Sequence, residues 1–321
     1  MAGLEPRALP PHAFGLTRRE LSYAAFSDEA GSRVLLEAQS VPLPADQFGD
    51  GPLGLPVGAR ESFATAVRLL LSRLSKAPKE ASLVLPDSWS RGLMIDSADL
   101  PEEPAARREV LRFRLKRLVP FRAEDLRIDA VPLEPGTADG PRKAFAAFGS
   151  ESLCAFVEEG FRESGVRLGW ISGETAALHA GLRRAVAADD PDPEVAAPVL
   201  GLAVVDADGF TLVLSRRGEP VVWRQKSFTE GLADADRERL LSVELRLTRT
   251  FLEERLPGSP LGSVYLASPQ AVEPFWLRVL GDSLRVPPIR LRPEHVGLVD
   301  GSGAGVASGV LALAGAVARE I

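Results

Sequence analysis

Apolar residues recur along the first part of the chain at two spacings, and each spacing predicts a different kind of element. Strand-like runs flank a short polar turn within residues 14–26, which is typical of a β-hairpin. Phe63, Ala66 and Leu70 share one helical face, which continues to Leu74. The predicted elements are a strand, turn and strand at 14–26, further strands at 33–41, 81–86 and 91–95, and a helix at 61–74.

The segment 107–133 combines a helical period with a strand-like run. Leu111, Leu115 and Leu118 recur at i, i+4 and i+7 and predict one apolar helix face. Pro120 ends this helix, because the residue before a proline avoids the α region. Residues 126–133 and 142–148 then predict two strands, so residues 81–150 are expected to form a small α+β unit.

The opening pattern returns in the second part of the chain. An apolar run at 199–206 is followed by hairpin signals, and a long helix is predicted at 236–256. Leu240, Leu241, Leu245 and Phe251 are expected to face inward from this helix. The other predicted elements are helices at 151–164, 174–188, 272–280 and 301–321, and strands at 168–171, 210–214, 220–223, 263–267 and 286–291.

The repeated order of hairpins, helices and strands predicts an α/β fold built from two similar halves. The first half is expected to comprise residues 13–80 and 151–198, with the α+β subdomain 81–150 inserted. The acidic, proline-rich stretch 189–197 is interpreted as a linker. Residues 199–321 are expected to form the second half.

Composition narrows the class of protein. The chain has 321 residues, of which 45% are hydrophobic, and a net charge of −6, which argues against a general nucleic-acid binder. Cys154 is the sole cysteine, so no disulfide framework is expected. The longest apolar run, 305–317, is shorter than the ~20 residues of a membrane span. We therefore expect a soluble protein in a reducing compartment.

Two motifs resemble a known family. One is the helix that ends in Val119-Pro120-Phe121, followed by Glu124-Asp125 and a strand; the other is the helix segment 243–251. Both resemble the PilM-like type IV pilus assembly proteins, which are related to the cell-division protein FtsA. The resemblance implies an actin-like, ribonuclease H-like duplicated fold at the cytoplasmic face of an inner membrane. It also implies binding to the cytoplasmic N-terminal peptide of a PilN-like inner-membrane protein, and contact with pilus motor ATPases.

The chain departs from the phosphate-binding loops of actin-like ATPases. Their first loop resembles Asp-x-Gly with a lysine soon after, and their second resembles Asp-x-Gly. The corresponding residues here are Thr17, Arg19 and Ser22 in the first loop and Asp206, Asp208 and Gly209 in the second. Glu230-Gly231 stands where Gly-Gly is usual, and Ala267-Ser-Pro269 stands where the later glycine motif for adenosine is usual. Charge-assisted hydrogen bonds are each worth roughly 1.5–3 kcal/mol, so losing several would weaken phosphate binding by about three decades. The expectation is a pseudo-ATPase without a cofactor, although Arg18 and Arg19 are alternative phosphate ligands.

The resemblance also suggests surfaces for partners. A peptide is expected in a cleft between the N-terminal core and the subdomain, although each candidate residue is also a good core residue. The candidates are Leu83, Leu85, Pro86, Val119 and Phe121. A cationic stripe of Arg108, Arg112 and Lys116 is either a solvated face, a contact for anionic lipid, or a site for an acidic partner.

Other candidate sites and functions are weaker. His12, His179 and His295 lack metal-ligand spacing, and no metal site is expected. The glycine-rich segment 301–305 is either an anion cradle or a close-packed helix start. The alternative functions are a GspL-like cytoplasmic component of type II secretion and an active actin-like ATPase.

Overall fold

The computed structural model describes most of the chain in two compact units. One unit comprises Met1–Ala180 and Leu298–Ile321, and the other comprises Gly181–Gly297. The described residues are 9–29, 32–49, 53–119, 122–133, 142–187, 198–206, 209–228, 231–256, 258–299 and 308–317.

A six-stranded mixed sheet forms the centre of the first unit. Its strand order is β14-β3-β2-β1-β4-β8. The hairpin strands β1, β2 and β3 are antiparallel, whereas β4 and β8 run parallel to β1 and β14 runs parallel to β3. The strands are β1 (His12–Leu16), β2 (Glu20–Glu29), β3 (Ser32–Pro42), β4 (Glu80–Leu85), β8 (Arg167–Gly173) and β14 (Leu298–Val299).

Helices cover this sheet and enclose an aromatic-rich core. Phe14, Phe63, Trp89 and Phe161 are completely buried there. Gly315 allows a close approach between two helices, because a Cβ at that position would lie 1.8 Å from the carbonyl oxygen of Ala177. The helices are α1 (Arg60–Ser72), α3 (Glu151–Arg162), α4 (Glu174–Ala187) and α7 (Ser308–Gly315).

A three-stranded antiparallel sheet with one helix forms the inserted subdomain. Its order is β5-β7-β6. Leu111 and Leu115 bury one face of the helix against this sheet. The Glu103 carboxylate caps the helix by accepting hydrogen bonds from the backbone N–H groups of Ala105 and Ala106. The elements are β5 (Ser90–Asp96), α2 (Pro104–Leu115), a 3₁₀ turn (Ala123–Asp125), β6 (Leu126–Pro132) and β7 (Lys143–Ser150).

The second unit contains a five-stranded sheet of order β11-β10-β9-β12-β13. Its first three strands are antiparallel and its last two run parallel to β9, so it repeats the arrangement β3-β2-β1-β4-β8. The elements are β9 (Val199–Val205), β10 (Gly209–Arg216), β11 (Glu219–Ser227), α5 (Asp234–Arg255), β12 (Leu261–Ala267), α6 (Glu273–Leu284), β13 (Pro288–Arg290) and a 3₁₀ turn (Pro293–Val296).

The predicted duplicated α/β architecture is confirmed, and two boundaries differ. β4 belongs to the six-stranded sheet, so the separate subdomain begins at β5 rather than at residue 81. The chain from Leu298 onward belongs to the first unit, because β14 pairs with β3. Residues 199–321 therefore do not form one half. Within the predicted C-terminal helix 301–321, the structure describes Ser308–Gly315 as helix.

Two inward-facing assignments on α5 are wrong, because Leu240 and Phe251 are 50% and 37% exposed. Leu118, the last residue of the predicted apolar face of the other helix, follows the end of α2 and is 62% exposed. Leu241 and Leu245 are buried as expected. The helical period identified the helices correctly but selected one buried face where two apolar faces exist.

Candidate functional site

The first predicted phosphate loop is the turn between β1 and β2, and its own side chains occupy its amides. The hydroxyl of Thr17 accepts hydrogen bonds from the backbone N–H of Glu20 at 3.0 Å and of Arg19 at 3.3 Å. The hydroxyl of Ser22 donates back to the carbonyl of Gly15 at 3.3 Å. The backbone N–H groups of Arg19 and Glu20 therefore already have an acceptor within the turn, and a phosphate there would have to compete with it.

The second predicted loop, between β9 and β10, is closed in the same way. The Asp206 carboxylate accepts the backbone N–H of Gly209 at 2.7 Å, and the Asp206 N–H donates to the Gly209 carbonyl at 3.0 Å. A side-chain carboxylate of the loop thus accepts this amide, and no external anion is needed as its acceptor. Asp208 lies outside the described residues.

Gly209 has a structural requirement of its own. A Cβ at this position would lie 2.2 Å from the carbonyl oxygen of Lys226 on the neighbouring strand β11. The glycine is therefore explained by strand packing, whether or not the turn binds a ligand.

Of the other positions where the ATPase pattern has glycines, the structure describes Ala267. Ala267 ends β12 as a strand residue. Glu230 and the segment 301–305 lie outside the described residues, so the predictions that fall on them stay predictions.

Two of the five candidate peptide-binding residues are core residues. Leu83 is 0% and Leu85 is 1% exposed, and both belong to the core of the first unit. Pro86 is half-buried and its carbonyl accepts the N–H groups of Trp89 and Ser90. Val119 packs partly buried against the subdomain cluster, and Phe121 lies outside the described residues. Leu83 and Leu85 therefore cannot line a cleft in this conformation.

The loop after β3 joins the core to the inserted subdomain. Phe48 packs in the core cluster, with its ring centroid 4.8 Å from that of Trp89, whereas Leu53 packs in the subdomain cluster. The Leu53 N–H donates to the carbonyl of Ser88 at 3.2 Å. One loop therefore contributes to both hydrophobic clusters.

This loop also exposes two large apolar side chains that are not among the candidate residues predicted from the sequence. Leu55 is 50% and Val57 is 66% exposed, on either side of Pro56, which forms an isolated antiparallel bridge with Phe48. Buried Gln47 holds the loop, because its carbonyl accepts the N–H groups of Val57 and Gly58 at 3.1 Å. Alternating apolar residues in a proline- and glycine-rich loop are the sequence signal that could have identified them.

An arginine clamp connects the subdomain to α3. Arg127 on β6 forms a bidentate pair with Glu151, at 2.6 and 3.0 Å, and a further ion pair with Glu158. The hydrogen bonds from Arg127 lower the pKa of Glu151. Burial raises the pKa of the neighbouring Cys154 to about 11, so this thiol is protonated at neutral pH and is a poor nucleophile.

The predicted cationic stripe lies on α2 and the turn after it. Arg108 and Lys116 are exposed, but Arg112 pairs with Glu109 at 2.6 Å and Lys116 lies 3.9 Å from Glu124. The carboxylates of Glu109 and Glu124 therefore offset part of the positive charge of the stripe and reduce its attraction for anionic lipid.

Among the residues that the structure describes, no cluster of three or more His, Cys, Asp or Glu side chains is arranged to hold a metal ion. No helix among those residues is both long and apolar enough to cross a membrane.

The duplicated sheets define the class as a protein of the actin-like fold, and comparison with solved structures agrees. The PilM–PilN type IV pilus biogenesis complex contains a chain that is 19% identical, with a TM-score of 0.69 over 97% of this chain and 98% of that one. A Bacteroides thetaiotaomicron protein of actin-like ATPase fold and unknown function is 8% identical, with a TM-score of 0.51 over 92% of this chain and 97% of that one.

Sequence comparisons give no match. No protein-family model matches the chain. No curated protein matches it either. The structural comparisons therefore confirm the predicted resemblance at the level of the fold.

Proposed function

We propose that this protein is a non-catalytic scaffold of a type IV pilus-type envelope machine, acting at the cytoplasmic face of the inner membrane. In this proposal it binds the cytoplasmic N-terminal peptide of a PilN-like inner-membrane protein and contacts the pilus motor ATPases. The observation that carries the proposal is the likeness to the PilM–PilN complex along nearly the whole length of both chains.

The two turns support the non-catalytic part of this proposal. In each turn a side-chain oxygen, from Thr17 or Asp206, accepts the amide three residues later. A phosphate would have to displace these internal acceptors, and the first turn offers a hydroxyl rather than a carboxylate for a metal-bound nucleotide. A binding role needs neither a phosphate nor a metal.

The loop after β3, which carries Leu55 and Val57, is the proposed docking surface for the peptide. Leu55 and Val57 expose apolar side chains where the loop joins the two clusters of the first unit. An extended peptide gains affinity from backbone hydrogen bonds and selectivity from alternate side chains in apolar pockets. Because the peptide loses chain entropy on ordering, we expect a dissociation constant on the order of micromolar.

A fluorescence titration tests the proposal directly. Tagged N-terminal peptides from co-encoded single-span membrane proteins are titrated with the full chain. We expect one peptide to bind, and Leu55→Asp with Val57→Asp to weaken it about tenfold or more. Leu69→Asp is the matched control, because Leu69 is 45% exposed on α1 and outside the loop. If no peptide binds at about 100 micromolar, the peptide-scaffold function is wrong.

A further inference from the structure

Helix α5 carries apolar side chains on two separate faces. Its inner face carries Leu241, Leu245 and Leu252, which are at most 5% exposed and belong to the core of the second unit. Its outer face carries Leu240, Val243, Leu247 and Phe251, with exposures of 50%, 42%, 54% and 37%. Large apolar side chains that gather on an exposed helix face commonly mark a protein–protein contact.

The outer residues form one continuous stripe. Their spacing of three, four and four residues keeps them on a single side of the helix. At 1.5 Å per residue, the stripe extends about 16 Å along the helix axis. This is the length over which a second helix can pack in register.

Charged residues at the two ends of the stripe distinguish between possible partners. Asp236 and Arg239 lie at its N-terminal end and Glu254 and Arg255 at its C-terminal end, all of them exposed. Each end therefore carries exposed side chains of both signs within about a turn of the apolar residues. An acidic or a basic partner helix would match only half of this pattern.

A second copy of the same helix, running antiparallel, matches all of it. Leu240 then lies opposite Phe251 of the second copy, and Val243 opposite its Leu247. Arg239 approaches Glu254 of the second copy, and Asp236 approaches its Arg255. A parallel arrangement would instead place each charge beside its own like.

We propose that the outer face of α5 is a homodimer interface, formed by antiparallel pairing of the two α5 helices about a two-fold axis between Val243 and Leu247. Such an interface is isologous, as most dimer interfaces are. It is independent of the proposed peptide-binding function, which involves the other unit.

The expected dimer is weak. One helix pair buries less than the roughly 800 Å² per partner of a standard interface, so we expect a dissociation constant on the order of ten micromolar or weaker. The dimer is thus expected at high local concentration, and dilution should dissociate it.

Sedimentation velocity across a concentration series tests the proposal. We expect a reversible monomer–dimer equilibrium, and Leu247→Glu should raise its dissociation constant at least about tenfold, because each dimer would bury two carboxylates. Leu69→Glu makes the same substitution at an exposed leucine of α1 and should leave the dissociation constant unchanged. Circular dichroism of both variants checks that they fold.

A charge exchange tests the antiparallel register. Arg239→Glu and Glu254→Arg should each weaken the dimer, and the double variant should restore it, because both cross-pairs are re-formed with their signs reversed. A chain that stays monomeric at several hundred micromolar overturns the proposal. A dimer that is insensitive to Leu247→Glu, or that the double variant does not restore, overturns it as well.

Discussion

At the scale of single residues, the two turns owe their shape to the side chains that depart from the ATPase pattern. Thr17 and Asp206 each satisfy an amide of their own turn. The sequence showed that the ATPase residues were replaced, but not what the replacements do, because a hydrogen bond across three residues depends on the turn geometry. The identity of the turn residues was thus predictable, and their role became clear from distances.

Gly209 provides a test at this scale. We expect Gly209→Ala to destabilise the chain by roughly 2 kcal/mol or more, because the new Cβ would meet the Lys226 carbonyl at 2.2 Å and the backbone would have to shift. Gly169→Ala is the control, since a Cβ there meets nothing within 4 Å. Urea denaturation measures both variants. Equal stabilities would show that the strand spacing near Gly209 is looser than the structure indicates.

His12 makes stability depend on pH. Burial, with a smaller contribution from Lys76, lowers the pKa of His12 below 6.5, while Glu37 opposes the shift. The unfolded chain therefore binds a proton more readily than the folded chain as the pH falls below 6.5. Stability should be fully present above this pH and decrease as the pH falls through the lowered, folded-state pKa.

Denaturation of His12→Gln at pH 7.5 and pH 5 measures this contribution. The variant should lose less stability than the wild type between the two pH values. Tyr23→Phe removes the 2.8 Å hydrogen bond to His12 but keeps the titrating ring, so it should retain the wild-type pH dependence. An identical loss in His12→Gln and wild type would contradict the prediction.

At the scale of elements, periodicity predicted which segments are helices better than it predicted their buried faces. On α2 the spacing correctly identified Leu111 and Leu115, but Leu118 follows the end of the helix, where the period no longer applies. On α5, between Leu240 and Leu252, leucines alternate between a buried and an exposed face. The sequence pattern alone cannot decide which of the two faces packs on the sheet, because that depends on the tertiary arrangement of the helix and the sheet.

The N-terminal cap of α2 allows a prediction at the scale of one element. Glu103→Ala should destabilise the subdomain, because the N–H groups of Ala105 and Ala106 lose their acceptor at 2.9 and 2.5 Å. These backbone hydrogen bonds lower the pKa of Glu103, so the stabilisation is present at neutral pH and decreases as the pH falls through the lowered pKa.

Hydrogen exchange of the α2 amides at pH 7 measures the effect. We expect faster exchange in Glu103→Ala than in Glu102→Ala, whose side chain lies one residue earlier on the exposed surface. Similar exchange in the two variants would mean that the negative charge near the helix end matters and the specific cap does not.

At the scale of the whole chain, the duplication was predictable and the return of the C-terminus was not. The hairpin that opens each half could be predicted from its turn residues and flanking apolar runs, and the repeated strand order followed from the two hairpins. β14 is a two-residue strand, and its pairing with β3 joins positions more than 260 residues apart. No local pattern encodes that pairing. The same holds for buried Arg33, which donates to the carbonyl of Ala314 on α7.

The last prediction concerns nucleotide binding by the full chain. The proposal of a non-catalytic scaffold requires that ATP with magnesium binds weakly or not at all, since Thr17 and Asp206 already accept amides of their turns. Isothermal titration calorimetry should show no saturable heat with nucleotide at concentrations up to about a millimolar. Thr17→Asp with Ser22→Lys is the informative variant, because it returns the carboxylate and the cation of the ATPase pattern to the first turn. If the missing carboxylate and cation are what prevent binding, this variant should gain affinity where the wild type has none. A micromolar dissociation constant for the wild-type chain would instead show that its turns open to receive phosphate, and the pseudo-ATPase interpretation would be wrong.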